Sequence, residues 1–150
     1  MNRARFGLVS GGTLAVCTCY NLRPQHDQSW IHHRVHSPSL RQGAVDLRLR
    51  AEETHNGQAI GLLDWPAGRV LLQWAIDVLP PTACVLEVGA GIGTAAIGLA
   101  LAGTVQAVVA TDYDPVVTRL MRENAAANGV ESTSASAGGK GSPSMLVAEW

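Results

Sequence analysis

The feature that most limits what this chain can fold into is the stretch Cys84-Val85-Leu86-Glu87-Val88-Gly89-Ala90-Gly91-Ile92-Gly93. Cys84 to Val88 is a short apolar run carrying one carboxylate, which suits a buried parallel strand, and alternating glycines stop it. Past them, Thr94-Ala95-Ala96-Ile97-Gly98-Leu99-Ala100-Leu101-Ala102 is rich in good helix formers and closes on Gly103. The glycines therefore lie where a strand hands over to a helix N-terminus. That order favours a nucleotide cradle: glycine lets the backbone approach a ligand with no Cβ in the way, and amides at a helix start present positive dipole to polar groups.

The next segment narrows the ligand. Val105-Gln106-Ala107-Val108-Val109-Ala110 is a second β-rich run ending at Thr111-Asp112-Tyr113-Asp114, with Asp112 about 20 residues beyond the glycines. A carboxylate at the tip of a second strand can accept both ribose hydroxyls of an adenosine. Gly89, Gly91 and Gly93 alternate, whereas the dinucleotide fingerprint spaces its last glycine further on, and here Glu87 precedes the turn. Glu-x-Gly-x-Gly-x-Gly followed by Thr-Asp-Tyr-Asp resembles the class I, seven-β-strand S-adenosylmethionine (SAM) methyltransferases. Upstream, Gly61-Leu62-Leu63-Asp64-Trp65-Pro66-Ala67 precedes a helix, and Leu146-Val147-Ala148-Glu149-Trp150 lies downstream. Together these are similar to the protein-lysine methyltransferase group of that class (methyltransferase family 16 type), over residues 44 to 150.

The resemblance implies a Rossmann-like, doubly wound α/β sheet with SAM as cofactor and a protein substrate. It implies that Gly89 and Gly91 let the loop approach SAM, and that Glu87 anchors the loop or the amino-acid end of the cofactor. Asp112 would take the ribose, Tyr113 would pack near the adenine, Trp65 would line the donor pocket and Trp150 would lie against the adenine. Gly93 and Gly98 are expected to serve close helix packing. The family's next strand carries an acid-x-x-aromatic motif bordering the transfer site, which has no counterpart here, so no catalytic residue is assigned. Two other classes compete: a nicotinamide-binding oxidoreductase fragment, disfavoured by the glycine spacing, and a catalytically inactive, truncated nucleoside-binding or interaction protein.

Composition sets outer bounds. At 150 residues, 47% hydrophobic and 15% charged, the chain can bury one modest core. Residues 1–50 hold seven Arg against two Asp, and the remainder four basic against ten acidic side chains. No aromatics interleave with a dense basic patch, which argues against nucleic acid. No apolar run is long enough to span a bilayer. Cys17, Cys19 and Cys84 are odd in number, with Cys84 inside a predicted strand, so a reducing, cytoplasmic setting is expected. The alternative is organelle targeting, since Arg3 and Arg5 precede a weakly apolar stretch and the first acid is Asp27.

In chain order, residues 1–43 read as an irregular amino-terminal segment and 44–150 as a partial SAM-binding domain. His32 and His36 have no third ligand at a zinc-like spacing, so no metal site is expected and they read as exposed residues of an extended segment. Val45, Leu47 and Leu49 alternate with Asp46, Arg48 and Arg50, the period of a strand with one wet face. Pro66 suits a first helical position, and Val70, Leu71, Trp74, Ala75, Ile76 and Leu79 recur at helical spacing until Pro80-Pro81. Asp114-Pro115 caps a further helix that ends at Asn128-Gly129. Residues 130–143 are too poor in apolar side chains to pack and read as a surface loop, and Ser144 to Ala148 resumes as a strand. The strands order as 3-2-1, one half of a doubly wound sheet, with the first strand left as an apolar edge.

Overall fold

The computed structural model describes residues 30–52, 60–133 and 144–149. An antiparallel hairpin, β1 (Ile31–His36) and β2 (Ala44–Leu49), precedes a short 3-10 turn at Ile60–Leu62 and helix α1 (Pro66–Val78). The chain then alternates β3 (Cys84–Val88), α2 (Thr94–Ala102), β4 (Ala107–Asp112), α3 (Pro115–Ala127), β5 (Glu131–Thr133) and β6 (Ser144–Glu149). The last four strands form one parallel sheet in the order β3-β4-β6-β5. The Rossmann-like α/β expectation holds, including the adjacency of the three principal strands.

Each helix ends where its punctuation places it. Pro66 opens α1, and Leu79 leaves the helix in an extended conformation, as the ring of Pro80 demands of the residue before it. Gly93 (φ 90°) and Gly103 (φ 60°) bracket α2 in the left-handed region, where a side chain would be strained. The Asp114 side chain caps α3 by accepting the Val116 N–H at 2.8 Å. Helix α2 is apolar all round and buried from Thr94 to Ala100, so it runs through the core rather than along a surface. At Gly98 the absent side chain is what lets Leu72 of α1 close on it.

The helices cover one face of the sheet. Val108, Ala110 and Asp112 of β4 and Met145 and Val147 of β6 are buried there, and α2 and α3 both pack against these two strands. On the other face, Leu86 and Val88 of β3 are each 64% exposed.

Two segments differ from the sequence expectation. Residues 31–36 belong to a strand, not an irregular segment, and the boundary expected after residue 43 falls at the end of the β1–β2 turn. Ile31, His33 and Val35 alternate inward while His32, Arg34 and His36 are exposed, and the inward histidine disguised the apolar period. Residues 131–133 likewise pair in parallel with β6 rather than looping.

The hairpin is fastened to α3 by two asparagines one turn apart. Asn128 accepts the Arg48 N–H at 2.9 Å and donates to its carbonyl, imitating a neighbouring strand. Asn124, fully buried, does the same with Arg50 and donates its second amide hydrogen to the Ile92 carbonyl at 3.1 Å. Both amide hydrogens and the amide oxygen of this buried side chain thereby have partners, and the glycine loop is tied to the hairpin.

Candidate functional site

The site forms where β3 passes into α2. Gly89 (φ 69°), Gly91 (φ 57°) and Gly93 take left-handed conformations in succession. They are not equivalent. A Cβ on Gly93 would lie 2.7 Å from Met121, and one on Gly91 would lie 3.1 Å from the Gly61 carbonyl, so both serve close packing. A Cβ on Gly89 would meet nothing within 4 Å, so this backbone faces open space at the carboxyl end of the sheet.

Asp112 ends β4 beside this loop. Its Oδ2 accepts the Gly91 N–H at 3.0 Å and its Oδ1 accepts the Asp114 N–H at 3.3 Å, so one carboxylate, 4% exposed, ties the loop to the tip of the second strand. The loop is closed further by the Ala90 N–H donating to the Thr111 carbonyl at 2.9 Å. Each carboxylate oxygen keeps a second lone pair after accepting one amide, so Asp112 retains capacity for hydroxyl donors.

Glu87 faces the first turn of α2. The backbone N–H of Ala96, one of the amides a helix start leaves without an internal partner, donates to its carboxylate. Burial outweighs this bond and pushes the Glu87 carboxyl up to about 7. Of the two roles implied for Glu87, this geometry favours anchoring the loop.

Trp65 is the residue before α1, half exposed, with its indole N–H donating to the Ile60 carbonyl at 2.9 Å. Its neighbour Asp64 reaches the site directly: its carboxylate accepts from Thr94, the first residue of α2, at 3.3 Å. Tyr113 is exposed immediately beyond Asp112. Glu149 closes β6, with its Oε1 accepting from buried Thr118 at 2.8 Å. Trp150 lies outside the described residues. Glu87, Gly89, Gly91, Asp112 and Tyr113 thus gather at one crossing, with the Gly61–Trp65 segment packed on the loop. Asp64 and Thr94 were not singled out from sequence, since only the fold brings them together.

An open cavity of about 950 Å³ lies at the far end of α2, among Arg41, Asp46, Asp77, Leu101 and Thr104. It has neither the glycine turn nor the strand carboxyl ends that nucleotide sites use. The crossing is the better candidate.

Comparison with known proteins gives a family for the chain. The model of the ribosomal protein L11 methyltransferase (PrmA) family matches residues 25–144. The chain belongs to the PrmA family. A curated relative, the ribosomal protein L11 methyltransferase of Symbiobacterium thermophilum, is 36% identical over 75 residues, half of this chain. That match spans 24% of the relative's length. The expectation of a methyltransferase is met at the level of the family, while the matching model names the PrmA group rather than the family 16 type. The PrmA match also begins upstream of β1, so the hairpin falls within the family region.

Proposed function

We propose that this PrmA-family chain binds SAM at the β3–α2 crossing and that the whole protein transfers the methyl group to a protein, with a lysine amine as acceptor. The observation that carries the reading is the Asp112 carboxylate held on the Gly91 amide, at the place where a nucleoside's sugar would meet the loop. The unfilled space at Gly89 fits an approaching ligand, and the acidic group at the tip of β4 fits ribose hydroxyls. The relative's name gives ribosomal protein L11 as its acceptor, which favours a protein substrate here as well.

When bound, SAM supplies a methyl group on a positively charged sulfur, so the leaving group needs no acid to depart. The chain's own work is then positional. Gly89 admits the donor, Asp112 accepts from the sugar, Glu87 holds the helix start in register, and Trp65 and Tyr113 flank the cleft with apolar surface. Bound there, SAM would supply the methyl group to an unprotonated lysine nitrogen, the proton lost from that nitrogen passing to water, while Gly89, Asp112, Trp65 and Tyr113 would hold the donor in place. No described helix is long and apolar enough to cross a membrane, and a cytoplasmic setting is part of this proposal.

Isothermal calorimetry with SAM, S-adenosylhomocysteine and NAD tests the reading. Binding of the first two in preference to NAD is expected. Preferential NAD binding would replace it with the oxidoreductase reading, and no binding of any of the three would leave the interaction-protein reading.

A further inference from the structure

A histidine outside every motif is wired into this site. His33 lies on the inner face of β1, with a side chain 8% exposed, and its Nε2 is 2.7 Å from Asp64 Oδ2. The Asp64 side chain is 13% exposed, and its other oxygen accepts from Thr94 at the start of α2. The first turn of α1 closes on the same threonine, for a Cβ on Gly68 would lie 3.0 Å from the Thr94 Cβ. A polar chain therefore runs from the hairpin, through the residue preceding Trp65, to the end of the glycine loop.

The geometry points to His33 as a positioning residue for the methyl-donor site, acting through Asp64 on Trp65 and Thr94; this rests on the reading that the crossing holds SAM. The nearly buried pair is too enclosed to touch an acceptor amine, so neither member serves as a base. Nor does the fold need a polar pair for stability alone, since apolar residues of similar volume commonly stabilise such positions at least as well. What the pair adds is direction. With Oδ2 fixed by His33, Asp64 has one orientation in which Oδ1 meets Thr94, and that orientation sets the turn on which Trp65 stands. Without His33 the carboxylate is free to turn toward water, and the turn and loop end lose their common reference.

The test measures SAM dissociation constants and melting temperatures together for His33→Leu, His33→Gln, Asp64→Ala and the double variant His33→Leu/Asp64→Ala. Val35→Ala, a core truncation on the same strand, serves as the stability control. His33→Leu is expected to weaken SAM binding about 10-fold, with His33→Gln, which keeps an N–H donor, recovering most of it. The double variant should lose about as much as one single variant rather than the product of both, because the two side chains act in series. Val35→Ala should lower the melting temperature without moving the dissociation constant. If His33→Leu does not fold, Thr94→Val carries the test, since it cuts only the last link and is expected to weaken binding several-fold. Wild-type binding with unchanged affinity in the folded variants, or fully multiplicative losses, overturns the proposal. Absence of SAM binding by the wild type overturns the underlying reading instead, so the two failures are distinguishable.

Discussion

Two carboxylates at the crossing make different contacts. Asp112 accepts two backbone amides, and Asp112→Ala should weaken SAM binding by about 2–3 kcal/mol by removing the sugar's acceptor and freeing Gly91. Calorimetry reads this directly, and an unchanged affinity would show that the sugar is held elsewhere. Glu87 is raised from 4.5 to about 7 by burial, so folding favours its protonated form. Between those values the unfolded chain has released the proton while the folded chain keeps it, and stability falls as pH rises. The contribution is fully present below about 4.5 and lost by the time pH passes about 7, a change on the order of 3 kcal/mol. Urea midpoints of the wild type should decline across that window, and Glu87→Gln, which cannot ionise, should flatten the profile.

At the scale of elements, the site depends on how the hairpin, α3 and the loop are joined. Asn124 holds Arg50 of the chain just past β2 and Ile92 of the loop at once, from a fully buried position. Asn124→Ala leaves backbone donors and acceptors of both segments unpaired and should cost about 2–4 kcal/mol, while half-buried Asn128→Ala should cost about 1 kcal/mol. Chemical denaturation of the two variants checks the ratio, and equal losses would mean that the link to Ile92 carries nothing. The contrast also explains what was legible in the sequence. Period and punctuation coincide at Pro66 and Pro80, at Gly93 and Gly103, and at Asp114-Pro115 and Asn128-Gly129, so α1, α2, α3 and the strands between them could be read. The sequence around Asn124 carries no sign of its role, because nothing local reveals the backbone it pairs with. His33 hid β1 for the same reason: its partner Asp64 is 31 positions away. The glycine loop and Asp112 were legible because a turn and a strand tip have local signatures, whereas the Asp64–Thr94 contact exists only once α1 packs on α2.

For the molecule as a whole, helices cover one face of the parallel sheet and the described residues leave the other open. Sheets of this kind are ordinarily covered on both faces. Leu86 and Val88, exposed on the edge strand β3, should therefore bind an apolar dye and promote self-association of the 150-residue chain. Replacing both with threonine should reduce dye fluorescence and association, measured by sedimentation, with little loss of stability. Persistent association would place the sticky surface elsewhere, for instance on exposed Val70 and Trp74 of α1. A structure determined with SAM bound tests the central claim most directly. It is predicted to place the ribose hydroxyls within hydrogen-bonding distance of Asp112 and the nucleoside over Gly89; an adenosine lodged away from the β3–α2 crossing, with Asp112 touching only Gly91 and Asp114, would contradict it.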